Sequence, residues 1–134
     1  WAFCSKEIAE MYNKVRLPFN INVAALETSV TAIKDNKFVT ESVKHNNFYL
    51  NWLTKEIIKL GLIPIPSVAN FLLVRFPKQG KFSAKEVYNY LLSKGIILRT
   101  VNNYGLKNFL RISIGKKDEL LKLLKFLKIY FKIK

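Results

Sequence analysis

Apolar residues recur at three- and four-residue intervals through the first sixty positions, and the pattern then changes to short β-rich runs separated by turn residues. Ser5 stands where a helix cap belongs, and Ile8, Met11, Tyr12 and Val15 follow on one face until Pro18 ends the segment. Asn22 caps a second helix, whose Val23, Leu26, Val30 and Ile33 form a stripe expected to be buried, interrupted at Asp35-Asn36. A third helix of about six turns carries Val39, Val43, Leu50, Leu53, Ile57 and Leu60, with Asn46 in its one polar slot and Gly61 as its stop.

After Leu62-Ile63-Pro64-Ile65-Pro66 the period shortens. Asn70 to Phe76 reads as a central strand closed by Pro77, and Lys78-Gln79-Gly80 as a turn. Ser83 with Glu86 reads as a capping box opening a helix through Val87, Tyr90 and Leu91, with Gly95 at its end. Ile96 to Val101 and Asn108 to Gly115 are two further strands, joined by the turn Asn102-Asn103-Tyr104-Gly105. From Lys116 a last helix places Leu120, Leu124, Leu127 and Phe131 on one face and Lys122, Lys125, Lys128 and Lys132 away from it. The expected architecture is a mixed α/β (α+β) fold: three helices, then strand, helix, strand, strand, helix, with a short three-stranded sheet covered by helices on one face.

Strand alternation then sorts the arginines. Leu110, Ile112 and Ile114 suit the helix-covered side, which leaves Phe109, Arg111 and Ser113 on the other. Arg99 joins Arg111 on that open side if the two strands are neighbours in register. Both guanidiniums are then expected without an acid partner, because Glu86, Asp118 and Glu119 sit at helix starts, where backbone N–H groups attract them.

A chain of 134 residues, half of them apolar, suffices for a real core. Trp1-Ala2-Phe3-Cys4 reads as the tail of a buried strand, so the chain is expected to begin inside a longer protein. No apolar run approaches the roughly 20 residues of a membrane span, and no signal peptide opens the sequence, which points to the cytoplasm. Cys4 has no second cysteine to pair with, and with His45 it gives no metal-ligand spacing. His45, among Lys44, Asn47 and Asn51, reads as a surface imidazole.

The formal net charge of +14 is uneven: residues 1–67 carry a net +2 and residues 68–134 a net +12. Such a field suggests an anionic partner. Yet 19 of the 23 basic residues are lysine, and none of the four arginines lies in a basic cluster, where bidentate phosphate recognition would want them. No nucleic-acid partner is expected. The last helix has the two faces of a membrane-surface helix, but covering a sheet demands the same two faces, and no membrane partner is expected either.

Several motifs carry a resemblance. Lys14-Val15-Arg16-Leu17-Pro18-Phe19-Asn20-Ile21-Asn22 resembles the loop that joins the large and small domains of the histidinol-phosphate aminotransferases, a fold-type-I family dependent on pyridoxal phosphate. Pro66-Ser67-Val68-Ala69-Asn70-Phe71 is similar to the family's entry into its small-domain strand. Gly95-Ile96-Ile97-Leu98-Arg99, Tyr104-Gly105-Leu106 and Leu110-Arg111-Ile112-Ser113-Ile114-Gly115 follow in the family's order, so the likeness runs from Trp1 to about Phe131.

The resemblance implies the small C-terminal domain of such an enzyme, with connector helices over residues 1–36 and the small domain over 37–134. It implies substrate binding through Arg111, which matches the arginine that grips the substrate's acid group, through Arg99, which matches a second phosphate-holding arginine, and through Asn20 in the cleft loop. It implies pyridoxal 5'-phosphate in the full-length enzyme, an anionic amino compound as substrate, and a homodimer. The resemblance places the Schiff-base lysine, the aspartate for the pyridine nitrogen and the phosphate cup in the large domain upstream, and Ser5-Lys6 does not match the family's Ser-Lys pair, because it continues into a helix instead of the glycine-bearing strand. No catalytic residue and no cofactor are therefore expected for the chain alone. The alternatives are an aromatic amino-acid aminotransferase of the same subgroup, or a non-enzymatic remnant or basic binding module.

Overall fold

The computed structural model describes residues 3–133, and the chain divides into two compact units, Trp1–Val39 and Thr40–Lys134. In the first unit, α1 spans Lys6–Val15 and α2 spans Val23–Lys34. Asn22 caps α2 as expected, its Oδ1 accepting the Ala25 N–H at 2.7 Å. Ser5 occupies the cap position of α1 but makes no cap hydrogen bond with its side chain.

Two expectations fail here. Neither α1 nor α2 contains a buried residue, so the stripe Val23, Leu26, Val30 and Ile33 is exposed, like Ile8, Met11, Tyr12 and Val15 on α1. An apolar stripe states what a helix needs to pack against; it does not supply that surface. Nor do Phe3 and Cys4 end a buried strand: both are exposed and in no regular element, and the first unit has no strand among the described residues with which they could share backbone hydrogen bonds. Trp1 and Ala2 lie outside the described residues.

The helix α3 runs Asn36–Lys59. Asp35, read as an interruption, starts it: the Asp35 carboxylate accepts the Phe38 N–H at 2.9 Å. Along α3 only Leu50, Leu53 and Ile57 are buried, whereas Val39 and Val43 are exposed, because the core meets the C-terminal half of the helix. Gly61 ends it at φ +74°, the Leu62 N–H reaching back to the Ile57 carbonyl.

The sheet has four strands, not three. β1 (Ile63–Ile65), β2 (Phe71–Arg75), β3 (Arg99–Thr100) and β4 (Phe109–Ser113) form an antiparallel sheet in the order β1-β2-β4-β3. The unexpected strand is β1, whose central Pro64 argues against a strand in sequence; at a sheet edge one side of the ladder is free, and a missing N–H is tolerated there. The opposite edge strand is shorter than expected. Gly95 at φ +71° lets the Ile96 N–H close the preceding helix on the Leu91 carbonyl, and Val101 accepts from Tyr104 in a 3₁₀ turn, so turns take both ends of the segment and leave Arg99–Thr100 to pair.

Helix α4 covers Ala84–Ser93 and α5 covers Lys117–Phe131. Ser83 occupies the N-cap of α4 without a side-chain cap bond, so the capping box with Glu86 does not form. The core joins Leu72 and Val74 of β2 and Leu110 and Ile112 of β4 to Leu53 and Ile57 of α3, Val87 and Leu91 of α4, and Leu120, Leu124 and Leu127 of α5. The other sheet face is half-buried to exposed.

Leu127 has no exposed surface. Leu127→Ala is expected to lower the unfolding free energy by about 2–5 kcal/mol in urea denaturation, while Lys125→Ala on the solvent side of α5 should change it by less than about 0.5 kcal/mol.

Candidate functional site

The alternation of β4 decides which way Arg111 points. Leu110 and Ile112 are buried against the helices, Phe109 and Arg111 are half-buried on the reverse face, and Ser113 is exposed. Ladder register then decides its neighbours: Leu73 lies across on β2, and Arg99 lies across on β3. Two guanidinium-bearing residues therefore stand directly opposite each other on the open face. Side chains so paired leave Cβ atoms only about 5 Å apart.

Like charges placed opposite each other destabilise a sheet unless something offsets them. Among the described residues no ion pair reaches Arg99 or Arg111; the pairs present join Lys6 to Glu10 and both Lys59 and Lys128 to Glu56. The Nε of Arg111 is buried and has no hydrogen-bond partner. The arginines line an open concavity together with Asn102, Asn103, Ser113 and Lys122. Glu119 also lines it, but its carboxylate accepts the Lys116 N–H at 2.8 Å at the start of α5. Apolar side chains, Ile96, Leu98 and Leu123 among them, share the lining; within it the planar forks of the two guanidiniums supply paired donors that can hold a multiply charged oxyanion.

Arg99 and Arg111, chosen from sequence, are thus brought together. Asn20 belongs to the first unit, where its Oδ1 accepts from Arg16 Nη1 at 3.2 Å, directly after Phe19 at φ +54°. His45 is exposed, as read from sequence, yet it has a partner: its Nε2 lies 3.0 Å from the Gly115 carbonyl and its ring tilts against Tyr49, tying α3 to the end of β4. The polar slot Asn46 reaches the Ala69 carbonyl with its Nδ2 at 3.2 Å and so holds the turn before β2. Phe71 was not singled out from sequence, although its ring centroid lies 5.0 Å from Arg111 Cζ. The sequence marks it as the end of the Pro66–Phe71 motif and as sharing a strand face with Leu73; its contact with Arg111 depends on register between strands distant in the chain.

The pair Ser5-Lys6 does not fit pyridoxal phosphate. The cofactor requires a lysine amine held beside groups that bind its ring nitrogen and phosphate. Lys6 opens α1 with an exposed side chain, 3.8 Å from Glu10.

The model of the family "aminotransferase class I and II" matches residues 1–127. A histidinol-phosphate aminotransferase of Paramagnetospirillum magneticum is 42% identical over 119 residues, covering 89% of this chain and 33% of that protein. The structure of the histidinol-phosphate aminotransferase from Clostridium acetobutylicum superposes with a TM-score of 0.84 at 29% identity, covering 95% of this chain and 38% of that one. The Sinorhizobium meliloti histidinol-phosphate aminotransferase, solved in complex with pyridoxal-5'-phosphate, shares the fold at a TM-score of 0.83 and 23% identity, over 94% of this chain and 34% of its own. The chain thus spans about a third of the length of the curated relatives it matches.

A pair of unneutralised guanidiniums should distinguish dianions from monoanions. Titrating the chain with methyl phosphate and following the arginine resonances should show binding about tenfold weaker at pH 5 than at pH 8, since the monoester loses a charge near pH 6 and one unit charge about 5 Å from each guanidinium is worth that factor. Equal affinity at both pH values would contradict charge pairing as the basis of the site.

Proposed function

The chain belongs to the class I and II aminotransferases, and from that premise we propose that it is the substrate-anion-binding part of a pyridoxal-phosphate-dependent transaminase acting on histidinol phosphate. The whole enzyme then moves an amino group between histidinol phosphate and 2-oxoglutarate, giving imidazole acetol phosphate and glutamate. The observation that carries this reading is the Arg99–Arg111 pair, opposed in register on an open sheet face without an acid partner among the described residues. The similarity to histidinol-phosphate aminotransferases supports the choice of substrate.

In this reading Arg111 and Arg99 hold the substrate phosphate, and Asn20 of the connector is a further substrate-binding residue. Residues 1–36 are the connector and 37–134 the small domain. The chain contributes no catalytic residue; the cofactor is held elsewhere in a cytoplasmic homodimer, with neither nucleic acid nor membrane as partner. No helix among the described residues is long and apolar enough to cross a membrane.

The test is kinetic. In the full-length transaminase, Arg111→Gln is expected to raise KM for histidinol phosphate by about 30- to 100-fold, the loss of a charge-assisted hydrogen-bonded contact, with a smaller change in kcat. Phenylalanine should be the poorer amino donor by kcat/KM. Preference for phenylalanine would instead support an aromatic amino-acid aminotransferase, since the same arginine can grip a carboxylate.

A further inference from the structure

Arg111 does not stand free on its sheet face. With Leu73 paired to Arg111 and Phe71 paired to Ser113, Phe71 is the diagonal neighbour of Arg111 across the β2–β4 ladder, and its half-buried ring carries the guanidinium at 5.0 Å. That distance is within reach of a cation–π contact. The backbone of Phe71 is itself anchored by the turn before β2. The Ser67 hydroxyl donates to the Phe71 carbonyl at 2.7 Å and accepts the Ala69 N–H at 3.1 Å, and Asn46 reaches over from α3 to the Ala69 carbonyl.

The burial of Arg111 Nε gives this contact a consequence. A guanidinium can take an oxyanion side-on, through Nε and one Nη, or end-on, through both Nη groups. Here Nε is shut away from solvent without a partner, so the end-on edge is the one presented outward. An arginine free to rotate loses rotamer freedom when it binds; one already resting on a ring loses less.

We propose that Phe71 is a positioning residue for Arg111, its ring supporting the guanidinium plane and leaving the two Nη groups as the anion-binding edge. This rests on the reading of Arg111 as an anion ligand. It assigns part of the affinity to a residue that touches no anion, and it makes the aromatic character of position 71, rather than its size, the property that matters.

The experiment is a methyl phosphate titration of the 134-residue chain followed by NMR, comparing wild type with Phe71→Leu, Phe71→Tyr and Arg111→Gln, each checked for the native amide spectrum. Phe71→Leu is expected to weaken binding about tenfold, Phe71→Tyr to stay within about twofold of wild type because it keeps the ring face, and Arg111→Gln to abolish binding. Should Phe71→Leu not fold, Phe71→Met, closer in volume, takes its place with the same expectation. If Phe71→Leu or its Met substitute binds as wild type does while Arg111→Gln does not bind, the positioning role is overturned and the anion site stands. The same holds if the Tyr variant is as weak as the Leu variant. If Arg111→Gln binds normally, the underlying reading fails.

Discussion

The site depends on the packing of Leu110 and Ile112 against the helical layer. Because successive side chains of a strand point to opposite faces, burying these two leaves Arg111 only the reverse face. No local preference of arginine is involved; the direction of a charged side chain is decided by apolar neighbours on the opposite face. The same burial pins register, since a slip of one residue would carry Leu110 and Ile112 into solvent and Arg111 into the core. Leu72 and Val74 on β2 repeat the constraint, and the β2–β4 ladder then sets Leu73 beside Arg111 and Phe71 on its diagonal.

Against this rigid backing, the electrostatics of the open face are unbalanced. Two guanidiniums opposed across a ladder repel each other, and the nearby acid, Glu119, is engaged at a helix start. In the function proposed above, an anion with two charges relieves that repulsion, and its binding energy then comes partly from removing it. The lysines that dominate the net charge play a different part. Those of α5 lie on the solvent side of a helix whose leucines fill the core; Lys122 reaches the rim of the hollow, and Lys125 only raises the general positive potential.

Where neighbouring residues alone decide the structure, the sequence was readable. The face of Arg111 followed from alternation within six residues, α5 followed from its leucine spacing, and Asn22 followed from cap chemistry. What depends on partners distant in the chain was not readable. Pro64 hid β1 because a proline is excluded from a central strand and tolerated at an edge, and only the assembled sheet says which applies. The stripes of α2 and of the first half of α3 called for burial that the described residues do not provide. The contact of Phe71 with Arg111 needed the register of strands some forty residues apart, and the bond from His45 to Gly115 joins residues seventy apart.

Whether Arg99 and Arg111 form one anion site through their opposition is decided by a double-mutant cycle on unfolding free energy. The variants are Arg99→Gln, Arg111→Gln and the double, each denatured in low salt with and without saturating methyl phosphate. An unfavourable coupling of about 0.3–1 kcal/mol is expected between the two arginines without anion, and a favourable one with it. A coupling of zero in both conditions, or a favourable coupling in the absence of anion, would contradict a shared site.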